Sequence, residues 1–427
     1  MNRASRPTTA ILLGAGMRGA KAYAPYALAH PDRLRFVAVA EPNPERRQRF
    51  AAAHGIPDEN RYDSWEALIA RGRIADVCFN ATQDQLHYPT TQASLELGYD
   101  VLVEKPITNT LKESVALVES AERNGCHLQV CHVLRHTPFF LRLHEIVASG
   151  RLGELVTVEH RENVAYWHMA HSFVRGNWRN SQLSSPMILA KCCHDLDVLV
   201  WNLPSRVRRL HSHGSLFHFR SENAPEGAPE RGRDGCPAAA NCPFEAERFY
   251  LDMGRTGSQV QAISEDLSLE GRRHALQTGP YGRCVYRCDN DVVDHQIVSM
   301  AYENGASAVL VMHGHAGEET RTMRYEGTRA SLLGTFEYHR PGTIEIIDHL
   351  DGEREEITVP VGSSGHGGGD MGIVESFLEA VKGDRSQAPS ARESLESHYL
   401  AFAAEASRQG GAVVDMDTFR QEMAGNA

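Results

Sequence analysis

From residue 9 to residue 133 the chain alternates short apolar runs with stretches of helical periodicity. Residues 9–13 (TAILL), Phe36–Ala40, Ala75–Asn80, Val101–Glu104 and Cys126–Val133 read as strands. A stretch carrying Ala20, Ala22, Ala24 and Leu28, then Tyr88–Leu97 and Leu111–Asn124, read as the helices between them. Repeated strand–helix units predict a doubly wound parallel sheet, an α/β Rossmann domain over residues 1–134. Ligands sit at the carboxyl ends of such strands.

Beyond Arg135 the period changes. Residues 137–149 are helical in pattern, residues 155–161 alternate, and Ser185–Trp201 reads as one apolar helix. Asp294–Tyr302, Ser307–His313, Thr343–Ile347 and Glu356–Val361 alternate with period two, which predicts an α+β second domain, residues 135–427, around a large, mainly antiparallel open sheet. Residues 221–243, rich in Pro, Gly, Ala and charge, are expected to form a surface insertion. Helices over about Met371–Val381 and Ser394–Ser407 are expected to pack back on the first domain.

Composition narrows the function. The chain has 427 residues and a formal charge of −11, with no broad basic field, which argues against nucleic acid. No apolar stretch approaches the ~18 residues that span a membrane. The first ten residues, MNRASRPTTA, have no long apolar core, and nine cysteines show no framework spacing, so a cytoplasmic protein with reduced thiols is expected. Cys236 and Cys242 flank a CPAAANC loop, but the spacing is not a usual zinc pair, and no metal is expected.

The chemistry concentrates at three places. After the first strand comes Gly14-Ala15-Gly16-Met17-Arg18-Gly19, a glycine turn that lets a backbone approach a pyrophosphate. Glu41 ends the second strand 22 residues beyond Gly19, where a ribose-binding carboxylate is expected; it would repel a 2′-phosphate and favours NAD over NADP. Arg46 and Arg47 follow and could instead turn toward such a phosphate. Glu104-Lys105-Pro106 ends another strand, and Lys191, His194 and Asp195 fall on one helical face. Removing hydride from an alcohol needs a base for the hydroxyl proton, a role for His194 or for Lys105. The bland alternatives are a strand-end lysine and a Lys191–Asp195 ion pair beside a buried histidine. The run 364–370 (SGHGGGD) is either a loop that carries His366 over a substrate or a helix start capped by Asp370.

In order along nearly the whole chain, GAGMRG, Ala40-Glu41-Pro42, ATQDQLHYP at 81–89, EKP at 104–106, Leu134-Arg135, SGRLG at 149–153 and His194-Asp195-Leu196-Asp197 resemble the Gfo/Idh/MocA oxidoreductase family. The resemblance implies Lys105 and His194 as catalytic residues and Asp197 as a helper or substrate ligand. It implies Gly14, Gly16, Met17, Arg18, Gly19, Glu41, Ala81, Thr82, His87, Glu104, Lys105, Trp178 and Arg179 as contacts of NAD. Many members hold an acid four residues before the histidine; that position is Ala190 here, and the adjacent Lys191 is the candidate to replace part of the relay. Candidate substrate contacts are Arg135, Tyr166, His168, Lys191, Asp197 and His366. The implied activity is hydride transfer between NAD and a secondary hydroxyl of a sugar, glycoside or cyclitol, in a homodimer or homotetramer. A glycoside hydrolase that borrows NAD without net redox change, and a sugar sensor without turnover, share the same fold and cofactor.

Overall fold

The first-half apolar runs become six parallel strands, β1 (Thr8–Leu13), β2 (Leu34–Ala40), β3 (Arg61–Tyr62), β4 (Val77–Asn80), β5 (Asp100–Val103) and β6 (Leu128–Val130), in a computed structural model that describes residues 6–384 and 388–425. Their order is β3-β2-β1-β4-β5-β6. The order reverses beside β1, so the crevice outside β1 and β4 is the topological switch point where ligands bind. The chain writes its own helix ends: the Leu111–Asn124 helix opens with Thr110 capping the N–H of Glu113 and closes on Gly125 at φ 65°.

The second sheet has nine strands: β7 (Leu155–Ala165), β8 (Val207–Ser215), β9 (His295–Tyr302), β10 (Ser307–Ala316), β11 (Thr320–Gly327), β12 (Ala330–Glu337), β13 (Gly342–Asp348), β14 (Arg354–Val359) and β15 (Val414–Asp415). Their order is β14-β13-β12-β11-β7-β10-β9-β8-β15, antiparallel except for the central β7–β10 pair. One face is covered by the Pro138–Ala148, Cys193–Asn202 and Ala391–Gly410 helices, whose apolar side chains share a core with the sheet. Strands β8, β11 and β12 escape the sequence pattern. A bulge between Val207 and Arg209 breaks the alternation of β8, and a charged residue, Arg321, takes an inward position of β11.

Two other readings change. The insertion is longer than residues 221–243: everything from 216 to 294 lies between β8 and β9, and it includes helices Ala246–Tyr250, Ser258–Ile263 and Leu269–Thr278 around a small core of Ala246, Tyr250 and Leu276. The apolar helix expected over Ser185–Trp201 is broken into Met187–Ala190 and Cys193–Asn202.

The C-terminal helices join the halves. Ile373, Val374, Phe377 and Leu378 of the Gly369–Lys382 helix pack against Leu12, Phe79 and Leu102 of the first sheet. Along the Ala391–Gly410 helix, Leu395 enters the first domain's core and Leu400, Ala401, Ala403 and Ala404 enter the second's. Phe377 is fully buried, edge-on to Phe79 at 5.6 Å between ring centroids. Phe377→Ala is expected to destabilise the protein by about 3–5 kcal/mol through the cavity it leaves. A shift of the first unfolding transition in urea measures this.

Candidate active site

The three loop glycines are constrained in three different ways. Gly14 has φ 88°, and a Cβ there would lie 2.5 Å from the carbonyl oxygen of Ala81. A Cβ on Gly19 would lie 2.2 Å from the carbonyl oxygen of Gly14. A Cβ on Gly16 would meet nothing within 4 Å. Gly14 thus makes the turn and Gly19 lets the following helix pack close. Gly16 borders open space, as a backbone that admits a pyrophosphate must. Glu41 is buried, its carboxylate accepting from the N–H groups of Ala15 at 2.8 Å and Asn43 at 2.9 Å. It stands beside the glycine loop, where the ribose would lie. Ala81 backs the loop, and Thr82 follows it at the end of β4. These residues fit a dinucleotide.

Other expected cofactor contacts are turned to structural work. His87 is buried and bridges the carbonyls of Pro106 at 2.7 Å and Thr82 at 3.2 Å, tying the two strand-end loops together. Arg18 donates to Glu104 at 2.5 Å, to Asp370 at 2.8 Å and to the hydroxyl of Tyr23 at 2.6 Å. Glu104 also accepts from Tyr23 and, at 2.9 Å, from the N–H of Lys105. Trp178 donates to Asp84 at 3.3 Å, beside the β4 loop, and so stays at the crevice. Arg179 does not: it pairs with Asp289 of the insertion at 2.8 Å.

Lys105 and His194 meet across the two domains. A continuous helix would have joined the carbonyl of Ala190 to the N–H of His194. The break at Lys191 and Cys192 frees that carbonyl, and the Lys105 ammonium donates to it at 2.6 Å. His194 is buried, and its Nδ1 has no hydrogen-bond partner. Burial, then the charge of Lys105 and the neighbouring His132 and His366, hold its pKa well below 6.5. It is therefore a neutral imidazole with a lone pair to offer. His132 lies 5.9 Å away between ring centroids, fully buried with both ring nitrogens unpartnered.

The 364–370 loop does carry a histidine to this place. The ring of His366 is 6.2 Å from that of His194 and 6.0 Å from that of Tyr338. His366 is the one non-glycine with positive φ (52°) among the described residues, an outlier of the kind that clusters at functional sites. Asp370 does not cap the helix; Gly368 occupies the cap, and the Asp370 carboxylate accepts from Arg18 and, at 2.9 Å, pairs with His366.

Three expected roles are corrected. Lys191 pairs with Glu319 at 2.8 Å and Glu162 at 3.4 Å, and not with Asp195. Burial works against its charge, but the two carboxylates outweigh it and hold its pKa above the ordinary lysine value. The two carboxylates hold it as a cation, which does not suit a base or a stand-in for the acid missing at Ala190. Arg135 and Asp197 are locked in a buried bidentate pair at 2.7 and 2.8 Å, with Glu393 on the outer side of Arg135. Their polar atoms are used on each other, so neither is a free substrate ligand. Tyr166 and His168 lie on a helical turn after β7; Tyr166 packs on Phe244 of the insertion, while His168 pairs with Glu319 at 2.8 Å.

Behind His194 runs a chain of buried charge that sequence reading missed. Asp195 accepts from His160 at 2.8 Å and Arg321 at 2.7 Å, and Arg321 also reaches Glu162 and the hydroxyl of Tyr338. Burial pushes the Glu162 pKa upward against the pull of Arg321 and Lys191. Glu162 and Arg321 face each other in the β7–β11 register. The signal in the sequence was a carboxylate on the inward side of an alternating strand, which needs a partner. Among the described residues no group of three or more His, Cys, Asp or Glu side chains is arranged to hold a metal.

The glycine geometry makes a clear prediction. Gly16→Ala should shift the melting midpoint by no more than about 2 °C and weaken NAD binding by about tenfold or more. Gly19→Ala should cost about 1–3 kcal/mol of stability, because its Cβ meets backbone. Isothermal titration and thermal melts separate the two.

Comparison with known proteins agrees with this geometry. The model of the oxidoreductase family's NAD-binding Rossmann fold matches residues 9–132, and that of its C-terminal alpha/beta domain matches residues 144–416. The chain is 23% identical to YteT of Bacillus subtilis (strain 168) over 341 residues, covering 78% of each. It is 29% identical to inositol 2-dehydrogenase of Corynebacterium glutamicum over 209 residues, 46% of this chain and about half (54%) of that one. The fold matches a levoglucosan dehydrogenase solved with NADH and levoglucosan, at TM-score 0.70 and 18% identity, over 96% of this chain and 100% of the other. It also matches an inositol dehydrogenase homolog solved with NAD+ from Azotobacter vinelandii, at TM-score 0.68 and 17% identity, over 96% and 97%. With both family models matched in order and the glycine crevice formed to receive the dinucleotide, the chain is an NAD-binding oxidoreductase of the Gfo/Idh/MocA family.

Proposed function

We propose that the protein is a dehydrogenase that oxidises a secondary hydroxyl of a sugar, glycoside or cyclitol. The observation that carries this reading is the convergence of Lys105 and a neutral, buried His194 from opposite domains at the strand ends of the first sheet. NAD, when bound, supplies the hydride acceptor. An ammonium has three donors. One is spent on the carbonyl of Ala190, and the rest are left to hold the substrate oxygen and favour its alkoxide. The His194 imidazole takes the hydroxyl proton. Its depressed pKa makes it ready to pass that proton on. His366, His168, Lys191 and Tyr338 form a polar flank suited to a polyol. The substrates named for the inositol and levoglucosan relatives belong to this class. Nine free thiols support a cytoplasmic protein. The assembly proposed is a homodimer or homotetramer, with the open face of the second sheet, where Ile297 is exposed, as its interface. No helix among the described residues is long and apolar enough to cross a membrane.

A second reading, a redox-neutral glycoside hydrolase, needs a further acid–base group, and Glu162, buried beside Lys191 and Arg321 with its pKa pushed upward by burial, is the candidate for it. A panel of sugars, cyclitols and aryl glycosides with NAD, read for NADH and released aglycone in the same wells, decides between the two. Stoichiometric NADH supports the dehydrogenase. Aglycone release that needs NAD but accumulates no NADH overturns it in favour of the hydrolase.

Lys105→Ala and His194→Ala should each lower kcat by about 10²–10⁴-fold and leave the NAD dissociation constant within about threefold of wild type. Because the His194 pKa is depressed, protonation that removes the base occurs below its ordinary 6.5. The acid limb of the kcat/KM profile should therefore fall below pH 6.5, and its loss in His194→Ala assigns it.

A further inference from the structure

The insertion touches the first domain where the adenosine half of a dinucleotide would end. Glu265, between the Ser258–Ile263 and Leu269–Thr278 helices, accepts from Arg46 at 2.5 Å and from Arg49 at 2.6 Å. Both arginines lie on the Pro44–His54 helix, which starts just after Glu41. The third arginine of that turn, Arg47, donates to the carbonyls of Glu41 at 2.5 Å and Pro42 at 3.3 Å. In dinucleotide folds an acid at this strand end takes the ribose hydroxyls, while a nearby arginine accommodates a 2′-phosphate. This chain has the acid and three arginines together. Read by sequence alone the arginines leave the choice open. The structure spends every one of them, two on a carboxylate that the Rossmann domain does not itself supply.

We propose that Glu265 is a specificity-determining residue that sets the preference for NAD over NADP. It acts in two ways. It neutralises Arg46 and Arg49 and holds them in a geometry that a phosphate would have to break. It also brings a second carboxylate, after Glu41, to the place where a phosphate dianion would sit, so like charges meet. Glu265 is one-fifth exposed and Arg46 about two-fifths, so the pair is open to solvent and is not a core strut. Burial would raise the Glu265 pKa, but the two arginines outweigh it and hold it below the usual carboxylate value, so the side chain is charged at neutral pH. The proposal rests on the first domain binding a dinucleotide, which the family match establishes.

The test is equilibrium binding of NAD and of NADP to the full chain, followed by tryptophan fluorescence or calorimetry, with melting curves alongside. The proteins are wild type, Glu265→Gln, Arg46→Ala, and Glu265→Gln combined with Arg46→Ala. Wild type should bind NAD at least about tenfold tighter than NADP. Glu265→Gln should tighten NADP about tenfold and leave NAD within about threefold. Adding Arg46→Ala should cancel most of the gain, whereas Arg46→Ala alone should move NADP by less than about twofold, its arginine being already occupied. An unchanged NADP constant in a folded Glu265→Gln protein overturns the proposal. So does equal loss of both dinucleotides, which would make the residue a strut. Should Glu265→Gln fail to fold, a large loss of NADP binding in Arg46→Ala alone would overturn it as well. A wild type that binds neither dinucleotide would instead remove the cofactor assignment beneath it.

Discussion

Each candidate catalytic side chain stands next in the chain to a buried carboxylate that an arginine holds. Glu104 precedes Lys105 and is held by Arg18; Asp195 follows His194 and is held by Arg321; one turn on, Asp197 is held by Arg135. Charges removed from water are tolerated only when they are paired in good geometry, and losing one partner leaves a costly unpaired charge. The pairs therefore fix each side chain's place within its own domain, and Arg135, just after β6, ties the His194 helix to the end of the first sheet. Arg18 links the glycine loop, the end of β5 and the start of the Gly369–Lys382 helix, while Arg321 links β11, β7 and the His194 helix. With its neighbour held in this way, Lys105 reaches the Ala190 carbonyl, four residues before His194.

Against that fixed frame the region around His194 is under-satisfied. The acid that would orient its imidazole is absent at Ala190, whose carbonyl serves Lys105 instead. The Nδ1 of His194 and both nitrogens of His132 lack hydrogen-bond partners, the Nε2 of His132 lying 3.9 Å from the Asp197 carboxylate. The cation Lys191 and the two carboxylates paired with it, Glu162 and Glu319, set the field beside this site.

The parallel sheet was legible because its strands are nearly continuous apolar runs separated by strong helix signals, as at Thr110 and Gly125. The second sheet was legible only where outward residues were polar. Arg321 on the inward face of β11 and the bulge in β8 hid two strands. The glycine loop, Glu41, Lys105 and His194 were visible by type and spacing, and His366 by its glycine-rich setting. Lys191, Arg135, Asp197 and Arg179 were misplaced for one reason: a charged residue's partner lies far away in sequence. Glu319 is 128 residues from Lys191, Asp197 is 62 from Arg135, and Asp289 is 110 from Arg179. Local spacing carries no information on such pairs. The helix break that hands the Ala190 carbonyl to Lys105 was equally invisible, since residues 185–201 are apolar enough for an uninterrupted helix.

In the proposed function, hydride leaves a secondary alcohol carbon for the nicotinamide of NAD. The most direct test of this transfer uses the purified protein, NAD, and a turned-over sugar or cyclitol carrying deuterium at the carbinol carbon, with the cofactor sampled by mass spectrometry during a single turnover. The account predicts reduced cofactor with deuterium at nicotinamide C4. Product formed while the cofactor stays unlabelled at every time point would contradict it.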